Sequence, residues 1–224
     1  MANDLQPDAV IVSGDIGENA KAWEEAQGIL GKLHADVHYA PGNHDVHSRD
    51  LERYRAVFGK DYYQFEVKFV RFVVIDSELL GNYDTYEAKT PLALSPEAED
   101  ESGRMFEWLD GLKKHERDGK VVIGVQHIPA FRDGDYPPDP KPYWTISEPY
   151  RSREIDALRK IGIQHMLVGH WHNGRVFARE GVTWHVAPAT SWLPWGGQLG
   201  FALHHINLHG EVQTEFVWLP GASP

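Results

Sequence analysis

Four short polar stretches carry the residue types of metal and proton chemistry. Asp15 follows Gly14, Gly42-Asn43-His44-Asp45 sets three different polar side chains in a row, His127 follows Gln126, and Gly169-His170-Trp171-His172 spaces two histidines one residue apart. In the second stretch Asn43 can ligate a metal, His44 can move a proton, and Asp45 can orient that histidine. Following Pro41, the same tetrapeptide also reads as an ordinary turn. A His-x-His pair reaches one centre only if the backbone bends between its members, and the glycine before it permits close approach. Taken alone, His127 reads as a satisfied structural residue.

Composition narrows the chemistry. The chain of 224 residues is 42% hydrophobic and 12% aromatic, with a formal net charge of −11, thirteen histidines and no cysteine. Lack of cysteine removes disulfides, thiolate zinc sites and cysteine nucleophiles together. His, Asp and Asn remain as ligands, a set suited to divalent Mn, Fe, Zn or Mg rather than Cu(I) or iron–sulfur clusters. The negative charge argues against a nucleic-acid polymer as partner. No apolar run reaches membrane-spanning length, and the first residues lack the basic-then-apolar order of a secretory signal. The expectation is a cytoplasmic protein with no membrane partner, folded as one domain over residues 1–224.

Each polar stretch follows an apolar run. Ala9 to Ser13 reads as a fully buried strand that delivers Asp15 to a loop; in open α/β sheets ligands bind at such carboxyl ends. A helical pattern from about Asn19 to Leu33 has Trp23, Ala26, Ile29, Leu30 and Leu33 on one face, and Asn19 or Glu18 can cap it. A second strand, Asp36 to Ala40, runs into Asn43. The spacing next predicts a helix over 48–58, antiparallel strands over 62–67 and 69–75 ending at Asp76, and a long acidic loop from Leu79 to Glu101. A helix through Phe106, Trp108, Leu109 and Leu112 ends near Gly119, and the strand 120–125 delivers His127. The segment 131–149, in which five prolines lack a backbone donor, reads as a rim loop beside a cleft. A helix over 150–161 and a strand over 163–168 lead to His170 and His172. Further strands over 175–177, 182–186, 201–208 and 212–219 flank an aromatic loop with Trp192 and Trp195, and His204 and His205 must point to opposite faces of one strand.

The order Gly-Asp, Gly-Asn-His-Asp, strand-end His, Gly-His-x-His resembles the calcineurin-like metallophosphoesterase superfamily. Asp61-Tyr62-Tyr63-Gln64-Phe65, Gln126 to Phe131 and Gln198-Leu199-Gly200 are similar to its complete serine/threonine phosphatase branch. The resemblance implies a four-layer α-β-β-α sandwich with two mixed sheets and a two-metal site at the strand ends. Carried over by motif, Asp15 bridges both metals, Asn43, His127 and His170 complete one, and His172 belongs to the other. His44 protonates the leaving oxygen and Asp45 holds its ring. The implied activity is hydrolysis of phosphomonoesters or phosphodiesters, of a phosphoprotein or a small phosphoester. The superfamily's first strand and its Asp-x-His or Asp-x-Gln have no counterpart before Asp15, so the second metal keeps only Asp15 and His172. The chain therefore reads as an N-terminally incomplete domain; the alternatives are a short variant that uses one metal or recruits His47 or Asp76, and a fold that kept binding after losing catalysis. A homodimer would cover the edge that a missing strand exposes.

Overall fold

The computed structural model describes residues 1–46, 51–112, 120–134, 136–193 and 196–221. Strand β1 (Val10–Ser13) pairs in parallel with β2 (Val37–Ala40), Val10 opposite Val37 and Ser13 opposite Ala40. Helix α1 (Ala20–Leu30) makes the crossover between them. Asn19 starts it, its side-chain oxygen accepting from the amides of Lys21 and Ala22, donors with no partner inside the helix. Helix α2 (Leu51–Phe58) follows β2; the expected start of this helix near Ser48, like His47, lies outside the described residues.

Six strands form the larger sheet: β3 (Tyr63–Val67), β4 (Val70–Val74), β5 (Val121–Val125), β6 (His165–Val168), β7 (Arg175–Arg179) and β8 (Val182–Val186), in the order β3-β4-β5-β6-β8-β7. The four inner strands run parallel, and the antiparallel β3 and β7 close the edges. Strands β9 (Gly200–Ile206) and β10 (Val212–Trp218) form a separate antiparallel pair. Helices α3 (Pro96–Gly111) and α4 (Tyr150–Ile161) complete the elements.

Alternation along the strands sorts the core into layers. Val73, Met166, Val168, Trp184 and Val186 face Met105, Phe106 and Leu109 of α3 and Ile155, Leu158 and Ile161 of α4. Phe72, Val74, Ile123, Val125 and Leu167 face the other way, onto Ile11, Ala40, Ile206 and Val212 of the two smaller sheets. Beyond β2, Tyr39 meets Phe58, which packs with Trp23 and Tyr54. The succession is thus helix, sheet, sheet, helix, as expected, but among the described residues only the six-stranded sheet is mixed: the second sheet layer is a parallel pair, β1-β2, and a separate antiparallel pair, β9-β10. Each fully buried side chain of this size stabilises the fold by roughly 1.5–3 kcal/mol.

Two expectations change. The acidic stretch before Glu101 is not loop throughout: Ser95 caps a helix beginning at Pro96, with Glu97 and Glu99 in its first turn. Proline at the first helical position and acidic residues beside the positive end of the helix dipole are start signals, not breaks; the expected end of this helix near Gly119 lies outside the described residues. Strand β1 is half-buried along its length rather than fully buried, because among the described residues it has a hydrogen-bonded neighbour on one side only, β2. No helix among the described residues is long and apolar enough to cross a membrane.

Candidate metal centre

Strands β1, β2, β5 and β6 end on the same side of the molecule, and their following loops bring Asp15, Asn43, His127 and His170 together. Asp15 Oδ2 lies 3.1 Å from His127 Nε2, and His127 Nε2 lies 3.2 Å from His170 Nδ1. The three ligand atoms fall within 4.8 Å of one another, the one such group of three among the described residues. Asp15, His170 and His172 all hold positive φ, at 55°, 68° and 60°, a conformation that costs a non-glycine residue about 1 kcal/mol or more and that concentrates at functional sites. Close approach needs glycine nearby: a Cβ on Gly14 (φ 88°) would stand 2.5 Å from His127 Nδ1, and one on Gly42 would stand 2.3 Å from the Asp15 amide nitrogen.

The hydrogen bonds decide which ring nitrogens face inward. His127 Nδ1 is 2.6 Å from the Ser13 carbonyl and His170 Nε2 is 2.9 Å from the Tyr143 carbonyl. A carbonyl only accepts, so each of these nitrogens carries the hydrogen. In neutral rings the inward nitrogens are therefore lone pairs, converging with a carboxylate oxygen. Buried Asn43 donates from Nδ2 to the Tyr143 hydroxyl at 2.8 Å, leaving Oδ1 buried without a donor. Three converging acceptors with no donor between them fit a cation, the unpartnered Asn43 Oδ1 is a further candidate ligand, and outer carbonyl partners of this kind orient histidine ligands.

Electrostatics agree. Burial works to raise the Asp15 carboxyl, but His127 first, then His44 and His170, outweigh it and hold Asp15 below the usual carboxylate range. Burial works to lower His127, and Asp15 and the Ser13 carbonyl hold it above its ordinary value. Burial and the neighbouring His127 push His170 down to about 3. A positive charge is thus favoured at the centre, and two are not carried by the rings.

The remaining expected residues lie as follows. His172 stands outside the tight group of three; its Nδ1 is buried without a partner and its ring meets exposed Trp192, centroids 5.3 Å apart. His44 Nε2 lies 3.3 Å from the Tyr143 hydroxyl. Asp45 does not hold the His44 ring. Its Oδ1 accepts from the amides of Ile16 and Gly17 and its Oδ2 from Gly42, so the carboxylate ties the Asp15 loop to the Asn43 loop. Burial, then Asp15, nonetheless raises it to about 6. Glu18 takes the expected place, its Oε1 2.9 Å from His44 Nδ1. Asp76 caps the amide of Glu78, and it does not join the group. Trp144, within the segment 131–149 expected as a rim loop, is buried in the core. Beside His172 opens a cleft of about 750 Å³ lined by Tyr136, Pro138, Trp171, Leu193 and the Asp133–Arg175 ion pair, whose closest atoms are 2.6 Å apart.

Sequence reasoning missed Glu18 and the role of Tyr143. Glu18 is three residues from Asp15 in the same loop, but that position equally suits a helix cap; Tyr143 is a hundred residues from Asn43, and no spacing links them.

A family model described as calcineurin-like phosphoesterase matches residues 1–174, a span that holds all of these candidate ligands. Among curated proteins, the chain is 27% identical over 187 residues to serine/threonine-protein phosphatase CPPED1 of Homo sapiens, covering 75% of this chain and 54% of that protein. The Bos taurus protein of the same name is 26% identical over 157 residues, covering 66% and 46%. The chain thus spans about half the length of the curated relatives it matches. Among solved structures, a dimetal phosphatase from Danio rerio aligns with a TM-score of 0.68 at 15% identity, covering 96% of this chain and 82% of that one. A phosphopantetheinyl hydrolase from Mycobacterium tuberculosis aligns at 0.57 and 15% identity, covering 80% and 78%. These two likenesses support the fold alone. With more than half its length under the family model, and the family's polar stretches gathered at one set of strand ends, the chain belongs to the calcineurin-like phosphoesterase family.

Proposed function

We propose that this protein is a metal-dependent phosphoesterase, hydrolysing a phosphorylated substrate of the phosphoprotein type named in its curated relatives. The observation that carries the reading is the convergence of Asp15 Oδ2, His127 Nε2 and His170 Nδ1 as acceptors around one point. Asp15, Asn43, His127 and His170 would hold one divalent ion, Mn, Fe, Zn or Mg, and Asp15 and His172 would contribute to a second. When bound, such ions activate water and neutralise charge on phosphoryl oxygens. The chain's own groups then divide the remaining work. His44 carries a proton at Nε2 toward the leaving oxygen, Glu18 holds the ring at Nδ1, and Asp45 fixes the spacing of the two ligand loops. The cleft beside His172, with Tyr136, Trp171 and Trp192 around it, takes the leaving group.

A second reading is favoured by one observation: His172 lies outside the tight group. On that reading the chain holds a single ion and does not turn over. Comparing hydrolysis of a phosphopeptide with that of an aryl phosphodiester, with Mn added, tests both. Turnover of the phosphopeptide supports the proposal; preference for the diester moves the substrate class to small diesters or cyclic nucleotides. No turnover of either, with ion bound, leaves the binding module.

A further inference from the structure

Tyr143 touches three of the groups that the proposed reaction uses. Its hydroxyl accepts from Asn43 Nδ2 at 2.8 Å and lies 3.3 Å from His44 Nε2, while its backbone carbonyl accepts from His170 Nε2 at 2.9 Å. It sits in a short turn, Pro142–Trp144, anchored by the indole of Trp171, which donates to the Trp144 carbonyl at 2.9 Å. We infer that Tyr143 is a positioning residue that sets the amide orientation of Asn43 and couples it to His44. The inference rests on the metal site proposed above.

The argument is one of donors and acceptors. A side-chain amide has two orientations, and only one turns oxygen toward a cation. With Nδ2 donating to the phenol, Oδ1 is buried with no donor among the described residues, available to an ion. In the opposite orientation the phenol would donate to Oδ1, and two N–H bonds would face the cation. Ion binding therefore selects the first orientation, and the phenol oxygen, which can accept twice, also faces the proton that His44 carries at Nε2. One phenol oxygen thus meets both Asn43 Nδ2 and His44 Nε2, and Glu18 accepts from the other side of the His44 ring, at Nδ1, over 2.9 Å. The neighbouring phenol of Tyr86 bonds to Asp139 at 2.6 Å, on the far side from these groups, and supplies a control.

The test is calorimetric titration of metal-free protein with Mn, together with kcat and KM for an aryl phosphate. Tyr143→Phe should weaken Mn binding about ten-fold and lower kcat with KM unchanged, whereas Tyr86→Phe should change neither. On an Asn43→Asp background no amide remains to be oriented, so Tyr143→Phe should cost little Mn affinity there. A purely structural role for the phenol would give the same loss on both backgrounds, and that result overturns the inference. So does wild-type Mn affinity in Tyr143→Phe. Wild-type protein that binds no divalent ion instead overturns the site reading itself.

Discussion

Glu154 on α4 is wholly buried, and among the described residues neither carboxylate oxygen is paired in a hydrogen bond of ordinary geometry, nor is Oε1 of Gln126, the side chain that interacts with it. Burial pushes this carboxyl from 4.5 up to about 8, against smaller opposing effects of Gln126 and Arg151. The folded state therefore keeps a proton that the unfolded chain releases near pH 4.5, so stability falls as pH rises from there to about 8 and is level beyond. At 1.36 kcal/mol per pH unit, the full span is about 5 kcal/mol and the share reached at pH 7 is about 3 kcal/mol. Glu154→Gln removes the slope and keeps the shape, with an amide in place of the protonated acid. At about 2–4 °C per kcal/mol for a chain of this size, the variant should melt roughly 10 °C or more above wild type at pH 8.5. At pH 4.5 the two should nearly coincide. Thermal unfolding of both proteins across pH 4.5–9 reads this directly, and contributions common to the two cancel in the difference. A melting difference that does not change with pH would refute the reasoning.

Further outcomes separate the two carboxylates nearest the proposed proton donor. Glu18→Ala should lower kcat about ten-fold while metal content and melting temperature hold, as steady-state kinetics and elemental analysis will report. Asp45→Ala removes the acceptor of three backbone amides and should cost about 2–3 kcal/mol or more of stability in chemical denaturation, with metal affinity falling as well. Equal kinetic losses and unchanged stability in both would return the ring-holding role to Asp45.

Much of the fold was legible because its signals are local. Short β-branched runs each ended in a polar residue, the pattern of parallel strands delivering to one edge, and α4 was bounded correctly by Pro149 before it and Gly162 after it. The start of α3 was hidden because proline and acidic residues mark both loops and first helical turns. Candidate ligands could be named from order along the chain, but their outer partners could not. The Ser13 and Tyr143 carbonyls and the Glu18 carboxylate act through the three-dimensional meeting of loops far apart in sequence. Asp45 shows the same limit: adjacency to His44 predicted a shared hydrogen bond, yet its backbone position turns it toward the amides of Ile16, Gly17 and Gly42.

Metal content per chain, measured with hydrolysis of an aryl phosphate monoester, tests the central claim most directly when wild type is set beside Asp15→Asn and His44→Ala. The account predicts bound divalent metal and hydrolysis in wild type, loss of both in Asp15→Asn, and retained metal without hydrolysis in His44→Ala. Wild-type metal content in Asp15→Asn, or undiminished hydrolysis in His44→Ala, would contradict it.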